Sequence, residues 1–425
     1  MLNEAQFKQL SKGMKPLPTM AIATIKYDEQ NRPKRVKYWL VVLGNHDPHQ
    51  WSKEATAAPV MSQLELRILT SLAVFDRQVL KNCDIKQAFV QSSLPTNEKY
   101  FLQPPVGYPR SPPGTYWRLI RSLYGLCQAP RLWFEKLRSH LQSMGLKNST
   151  TSPCLFVGHL IEGAPPIYVG IYVDDIIYFS SCNDVERKFE GLLSTIGDVD
   201  FMGQVSHFLG IEFTWKHHSD GNLSVCLTQQ SFIETLLESL GFSQASTSHY
   251  TSPYRSRLVI DSIPHQEMSS DERDKLRLNY QSVVGRLNWL AHTTRPGLST
   301  VVSLLAQHQH NPSYGHLEAA HYAAKYLAGT KTLGIYFTSA KRNTMEAFLH
   351  FPLSAKILAM SDANWGPQDA SRSISLAPLP LFVSRTMSAC VVRGGLLLYF
   401  KILRHRFQIC RYNNLIVFSY LDFVF

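Results

Sequence analysis

Apolar residues along the chain fall into two kinds of stretch: short, nearly continuous runs that read as strands, and longer segments with helical spacing. The strongest strand-like stretch is Ile167-Tyr-Val-Gly-Ile-Tyr-Val-Asp-Asp-Ile-Ile-Tyr-Phe179. Apolar, β-branched and aromatic residues fill 167–173, broken by Gly170, and again 176–179, which predicts two strands joined by a turn. Asp174 and Asp175 stand between them, where a buried strand wants Val or Ile. Two adjacent ionised carboxylates in apolar surroundings repel and lose hydration, a cost of several kcal/mol unless something neutralises them. Carboxylate oxygens suit Mg2+. The plain alternative is a polar hairpin tip with both carboxylates solvated.

The same pattern predicts the other elements. Residues 34–44 form a basic cluster running into a strand, which suits either a phosphate contact or an edge strand protected by Lys. Leu64, Leu66, Ile68, Leu69, Leu72, Val74 and Phe75 predict a core-facing helix within 62–80. Residues 79–90 place Asp84 at the end of a short apolar strand, with Ala88, Phe89 and Val90 opening a turn or helix. Strand ends of α/β folds open into ligand-binding crevices, whereas a lone Asp also serves as a helix N-cap. Residues 103–114 are Pro-rich and predict a loop. Gly125 and Pro130 bracket a tight turn, followed by a helix marked by Leu132, Trp133, Leu137 and Leu141. Further on, helices are expected at 183–196 and 227–240, with a turn and then a strand at 201–213 between them. A Ser/Thr/Pro-rich linker follows at 242–272. A helical block spans 274–328, with breaks at Arg295-Pro296-Gly297 and Asn311-Pro312. Short strands close the chain at 331–337, 347–351 and 355–365, the last carrying Asp362.

Composition narrows the classes. Hydrophobic residues make up 44% and charged residues 18% of the 425, as in a globular protein. Lys and Arg total 43 against 32 Asp and Glu, a formal charge of +11, which favours an anionic partner such as a polyphosphate and also fits a merely basic soluble protein. Seven scattered cysteines without a CxxC pair argue against a zinc or disulfide framework and for a reducing compartment. The polar start is no signal peptide, and no apolar run approaches the ~20 residues of a membrane span. A soluble, intracellular protein is expected, in the cytoplasm (including virus-like particles) or the nucleus.

Together, Asp84, Asp174 and Asp175 make a constellation able to bind two divalent ions, hold a triphosphate and activate a 3′-hydroxyl. Here the chain resembles a known family. Tyr172-Val-Asp-Asp175 matches the YxDD box of reverse transcriptases, and Asp84-Ile-Lys-Gln-Ala-Phe89 matches their first catalytic motif. Arg121-Ser-Leu-Tyr-Gly-Leu-Cys-Gln-Ala-Pro-Arg-Leu-Trp133 is similar to the S-L-Y-G-L-K-Q-A-P-R-x-W signature of copia-type (Pseudoviridae) retrotransposon polymerases. Gln103-Pro-Pro-Val-Gly107, Phe208-Leu-Gly-Ile211, Gly285–Pro296 and Leu358–Trp365 fit the same polyproteins, so the resemblance spans roughly residues 30–395.

The resemblance implies an α+β right-hand polymerase of fingers, palm and thumb, followed by a connection and a partial RNase H-like segment. Residues 1–33 would be an N-terminal extension and 34–205 fingers and palm. The primer grip, thumb and linker would occupy 206–272, a helical connection 273–352, and a truncated RNase H-like segment with an aberrant tail 353–425. Asp84, Asp174 and Asp175 become catalytic ligands of two Mg2+ ions, with Mn2+ as substitute. Phe89 falls at the steric gate, although its bottom-up support is only that of a bulky ring that also suits core packing. Lys37, Tyr124, Gly125 and Gln128 fall among nucleotide contacts, Phe208, Leu209 and Gly210 at the primer grip, and Asp362 at the first RNase H carboxylate. The partners implied are an RNA template, a DNA primer or hybrid, and dNTPs.

Three departures qualify this. The pattern K-A-R-L-V-x-K-G appears as Lys37-Tyr-Trp-Leu-Val-Val-Leu-Gly44, so Trp39 and Leu43 replace basic residues. Each lost phosphate contact would weaken nucleotide binding by about 1–3 kcal/mol. Cys127 stands where Lys is usual, and after Asp362 the acidic residues are only Asp369 and Asp422. The expectation is an RNA-directed DNA polymerase without RNase H activity. The alternatives are a decayed nucleic-acid-binding remnant and, more distantly, a metal-dependent phosphotransferase.

Overall fold

The computed structural model describes residues 1–27, 32–108, 110–149, 151–242, 252–253, 268–339, 357–361, 382–383, 409–412 and 415–420. Two compact units emerge, one of residues 1–61 and 81–203, the other of 62–80 and 204–425.

The first unit holds two sheets. In the smaller, β1 (Leu17–Tyr27) and β2 (Pro33–Val42) form an antiparallel ribbon, and β4 (Tyr100–Gln103) pairs parallel with β1 and antiparallel with β5 (Trp117–Leu119). The stretch expected to be an N-terminal extension thus supplies helix α1 (Glu4–Ser11) and β1, and a boundary at residue 33 falls inside this ribbon. The larger sheet has the order β10-β3-β9-β8-β7-β6, from β3 (Lys81–Ile85), β6 (Lys147–Asn148), β7 (Leu155–Gly158), β8 (Ile167–Tyr172), β9 (Asp175–Ser180) and β10 (Val199–Gln204). Residues 199–204 are therefore a strand rather than the expected turn. They are largely exposed, so burial imposes no apolar pattern on them.

The β8–β9 hairpin is the predicted one. Ile176 to Phe179 are all buried, because α5 (Asn183–Leu193) covers this part of the sheet. The Tyr178 hydroxyl donates to Glu190 of α5 at 2.7 Å, and Tyr178 packs against Phe189 with ring centroids 5.0 Å apart. A strand covered on both faces loses the polar alternation of an open sheet, which is why the sequence reads as a continuous apolar run. Helix α4 (Ala129–Ser143) starts with Pro130 in its first turn and buries Trp133, Leu137 and Leu141 of the expected apolar stripe, with Phe134 in place of the half-buried Leu132.

A short helix α2 (Lys53–Thr56) completes the first unit, and the second contains α3 (Gln63–Phe75), opened by a capping box between Ser62 and Glu65. It also holds a sheet of β11 (His207–Phe208), β12 (Ile211–His217), β13 (Leu223–Thr228) and β14 (Ile335–Thr338) in that order. Helices α6 (Gln230–Ser239), α7 (Ser270–Thr293), α8 (Ser299–Ala306) and α9 (Tyr314–Ala328) share one apolar core, centred on Tyr280, Val284, Leu287, Val301, Leu305 and Ala323. The predicted breaks at 295–297 and 311–312 separate α7, α8 and α9. Leu227 and Thr228, expected to open a helix, end β13 instead, and α6 begins at Gln230. Among the described residues no helix is long and apolar enough to cross a membrane. A further sheet is formed by β15 (Ile357–Ser361), β16 (Phe382–Val383), β17 (Ile409–Tyr412) and β18 (Leu415–Tyr420). Asp362 and the strand expected at 347–351 lie outside the described residues.

Candidate active site

Strands β3 and β9 are antiparallel neighbours, and their register pairs Asp84 with Asp175 directly across the ladder. Tyr172 and Asp175 close a two-residue turn of Val173 and Asp174. The three carboxylates predicted from sequence therefore meet at one end of the six-stranded sheet.

The turn is strained. Val173 has φ 59°, a conformation that a tight hairpin demands of its first central residue and that Gly ordinarily supplies. For a β-branched residue it costs about 1–3 kcal/mol. Two hydrogen bonds hold it: the Trp133 indole N–H donates to the Val173 carbonyl at 2.7 Å, and the Ile85 amide donates to the Asp174 carbonyl at 3.1 Å.

All three aspartates are half-buried and their carboxyls are pushed up from the usual range. Burial is the main cause for Asp175, which the charges of Asp174 and Asp84 help raise to about 6. Burial likewise leads for Asp174, with Asp84 adding to it and Lys37 opposing. For Asp84 burial comes first, then Asp200, with Lys37 and Lys86 opposing. Lys37 thus acts on two of the carboxylates from β2, and its ammonium lies 5.6 Å from the ring centroid of Trp39. Among the described residues, no group of three or more His, Cys, Asp or Glu side chains is placed to hold a metal ion. The aspartates make an open, oxygen-only edge with mutually repelling charges. Mg2+ characteristically takes one or two carboxylates and keeps water and substrate phosphates in its shell, so this donor set fits that ion.

Beyond Asp84 the chain turns through Gln87 (φ 53°) into a short helical turn, Ala88–Gln91. This carries Phe89 to Tyr124, with ring centroids 4.8 Å apart. The Tyr124 hydroxyl is pushed up by burial and then by the charges of Asp174 and Asp84. Gly125 has φ +93°, and a Cβ there would lie 1.9 Å from the Val42 carbonyl oxygen, so only Gly lets this turn rest on the end of β2. The Val42 amide donates to the Tyr124 carbonyl at 2.8 Å. Asp84, Asp174, Asp175, Lys37, Phe89, Tyr124 and Gly125 are thus brought into one neighbourhood.

Gln128, expected among the nucleotide contacts, is 2% exposed and donates to Glu98 and the Tyr100 hydroxyl at 3.0 and 2.9 Å. Phe208, Leu209 and Gly210 belong to the second unit, where Phe208 is buried and Leu209 (φ 51°) and Gly210 (φ 73°) make the β11–β12 turn. Sequence reasoning missed Lys86, whose ammonium pairs with Asp198 at 3.1 Å and Asp200 at 2.8 Å beside Asp84. The available signal was the Asp198-Val-Asp200 spacing, which puts both carboxylates on one side of an extended segment.

A family profile described as reverse transcriptase (RNA-dependent DNA polymerase) matches residues 4–253, more than half the chain. The chain belongs to the reverse transcriptase family. Members of this family generally use divalent metals, and the α+β architecture accords with membership. A retrovirus-related Pol polyprotein from transposon RE1 of Arabidopsis thaliana is 32% identical over 346 residues, covering 81% of this chain and 22% of that protein. One from transposon TNT 1-94 of Nicotiana tabacum is 26% identical, covering 76% of this chain and 24% of the other. The reverse transcriptase chain therefore spans about a fifth to a quarter of the length of these curated relatives, and its likeness to copia-type transposon polyproteins is shown. A foamy viral protease–reverse transcriptase solved with double-stranded DNA aligns with TM-score 0.39 and 13% identity, over 75% of this chain and 45% of that one.

Proposed function

We propose that this reverse transcriptase is an RNA-directed DNA polymerase that transfers nucleotides from dNTPs to a DNA primer 3′-end on an RNA template. The observation that carries the reading is the cross-strand pairing of Asp84 with Asp175 beside Asp174, three carboxylates held above their usual pKa range and short of positive charge. Asp84, Asp174 and Asp175 would hold two Mg2+ ions, or Mn2+ in their place. Bound there, such ions neutralise charge on the phosphates and lower the pKa of the 3′-hydroxyl. The charge of Lys37 opposes the upward push on Asp84 and Asp174, which supports a triphosphate contact there. Phe89, backed by Tyr124, is the ring that excludes a ribose 2′-hydroxyl. The chain's net charge of +11 supports binding along a nucleic-acid backbone, which weakens as salt rises. We propose Phe208, Leu209 and Gly210 as the primer grip, and Asp362 as a remnant of an RNase H centre that no longer works.

The test is incorporation of labelled dTTP on poly(rA)/oligo(dT) with Mg2+ and then Mn2+, beside a protein carrying Asp174→Asn and Asp175→Asn. Metal-dependent extension that disappears in the double variant establishes the activity. A second reading, a nucleic-acid-binding remnant without catalysis, is favoured by Trp39 and Leu43 at positions where relatives of the resemblance carry basic residues. Folded protein that binds hybrid in a salt-sensitive manner, yet extends no primer with either metal, would select it. Hydrolysis of an RNA–DNA hybrid that Asp362→Asn removes would overturn the proposed loss of RNase H.

A further inference from the structure

From the hydrogen bond between the Trp133 indole and the Val173 carbonyl, we infer that Trp133 is a positioning residue for the catalytic hairpin. The inference rests on the function proposed above. Val173 is the sole β-branched residue at positive φ among the described residues. In a two-residue turn its carbonyl lies outside the ladder that joins Tyr172 to Asp175. The indole N–H takes up this carbonyl at 2.7 Å. Trp133 is 1% exposed, and an indole has one donor and no acceptor, so that donor is committed to Val173.

The consequence is local and specific. The Val173 carbonyl belongs to the peptide plane preceding Asp174, and the Asp174 carbonyl, which accepts from Ile85 at 3.1 Å, belongs to the plane following it. Both planes flanking Asp174 are fixed, one from α4 and one from β3 next to Asp84. With two planes set, the direction of the Asp174 Cα–Cβ bond is set as well, and with it the arc that the carboxylate can sweep toward its partners. Without the indole, the strained turn has one anchor fewer and Val173 is drawn toward ordinary φ. That movement swings Asp174 while leaving the ladder of β8 and β9 in place.

Trp133→Phe keeps a ring in the core and removes the donor. We expect kcat to fall at least tenfold with KM for dTTP within twofold. Amide exchange at 173–175 should quicken at least tenfold while exchange in α4 stays unchanged. Adding Val173→Gly, a residue that accepts φ 59° freely, should recover at least a third of the lost kcat. Leu137→Ala, which opens the same buried face of α4 without touching the turn, is the packing control: its melting point falls, but kcat per folded molecule holds. Unchanged kcat and unchanged exchange at 173–175 in Trp133→Phe would overturn the inference, as would equal kcat losses in Trp133→Phe and Leu137→Ala. If the parent protein extends no primer, the proposed function fails on its own, and the exchange measurement still decides whether Trp133 holds the turn.

Discussion

Asp84 and Asp175 face each other as cross-strand partners on β3 and β9, so two like charges that lie 91 positions apart in the chain share one half-buried edge. Asp175 is raised from 3.8 to about 6, mainly by burial and then by Asp174 and Asp84. In the folded protein it keeps a proton that the unfolded chain releases near pH 4. Its contribution to stability is therefore full below about pH 4 and is lost as pH rises through about 6. Unscreened, the shift corresponds to roughly 3 kcal/mol; with the carboxylate half-exposed, about 1 kcal/mol is the better figure. Metal-free Asp175→Asn should then melt about 2–4 °C above the parent at pH 7.5 and level with it near pH 3.5. Melting curves in chelator at the two pH values check this. A variant that gains nothing at pH 7.5 would show that the carboxylates are not in conflict.

Lys37 opposes the upward push on both Asp84 and Asp174. Removing its charge in Lys37→Met raises both carboxyls further, so that deprotonation, and with it metal binding, needs higher pH. The rising limb of the pH–rate profile should move to higher pH, and KM for dNTP should increase about tenfold, the loss of one charge-assisted contact. Lys37→Arg should keep the limb near its original position. A profile that stays put in Lys37→Met would separate Lys37 from the carboxylates.

Buried Gln128 donates to the Tyr100 hydroxyl and to the half-buried Glu98, so its substitution should appear in stability rather than in nucleotide affinity. Gln128→Leu strands the buried partners of an amide, a loss of about 1–3 kcal/mol. The melting point should fall by several degrees, with KM for dNTP within twofold of the parent. A fivefold rise in KM at unchanged stability would return Gln128 to the nucleotide site.

Which elements were legible follows from burial. The β8–β9 hairpin was readable because α5 helps bury Ile176 to Phe179, so the apolar run around the two aspartates is unbroken. Strand β1 was not, because Met20, Ile22 and Ile25 stay exposed on a ribbon and no buried face dictates alternation. The boundary between β13 and α6 was hidden because Thr228, Gln229 and Gln230 read as a helix start, while Leu227 and Thr228 still pair as the end of the strand. The site aspartates announced themselves as charges amid apolar strands. The Trp133–Val173 bond did not, since it joins residues forty apart, and a Trp on a helix reads as core until its donor is seen to have a partner.

Gly125 gives the sharpest contrast between a glycine the fold requires and one it tolerates. A Cβ there would lie 1.9 Å from the Val42 carbonyl oxygen and 2.8 Å from Val41 Cγ1, and the backbone adds φ +93°. The clash is with main chain, which yields only if the turn lifts off β2. That movement breaks the bond from the Val42 amide to the Tyr124 carbonyl and displaces Tyr124 from Phe89. Gly125→Ala should therefore cost about 3 kcal/mol or more and lower kcat/KM for dNTP by at least tenfold in whatever protein remains folded. Gly107, with φ +79° and nothing within 4 Å of an added Cβ, is the matched control on the Pro-rich loop. Gly107→Ala meets only the left-handed backbone penalty of about 1–2 kcal/mol and should leave kcat/KM unchanged. Equal effects of the two substitutions, measured by denaturant melts and steady-state extension, would mean that the close contact with β2 does not hold the turn.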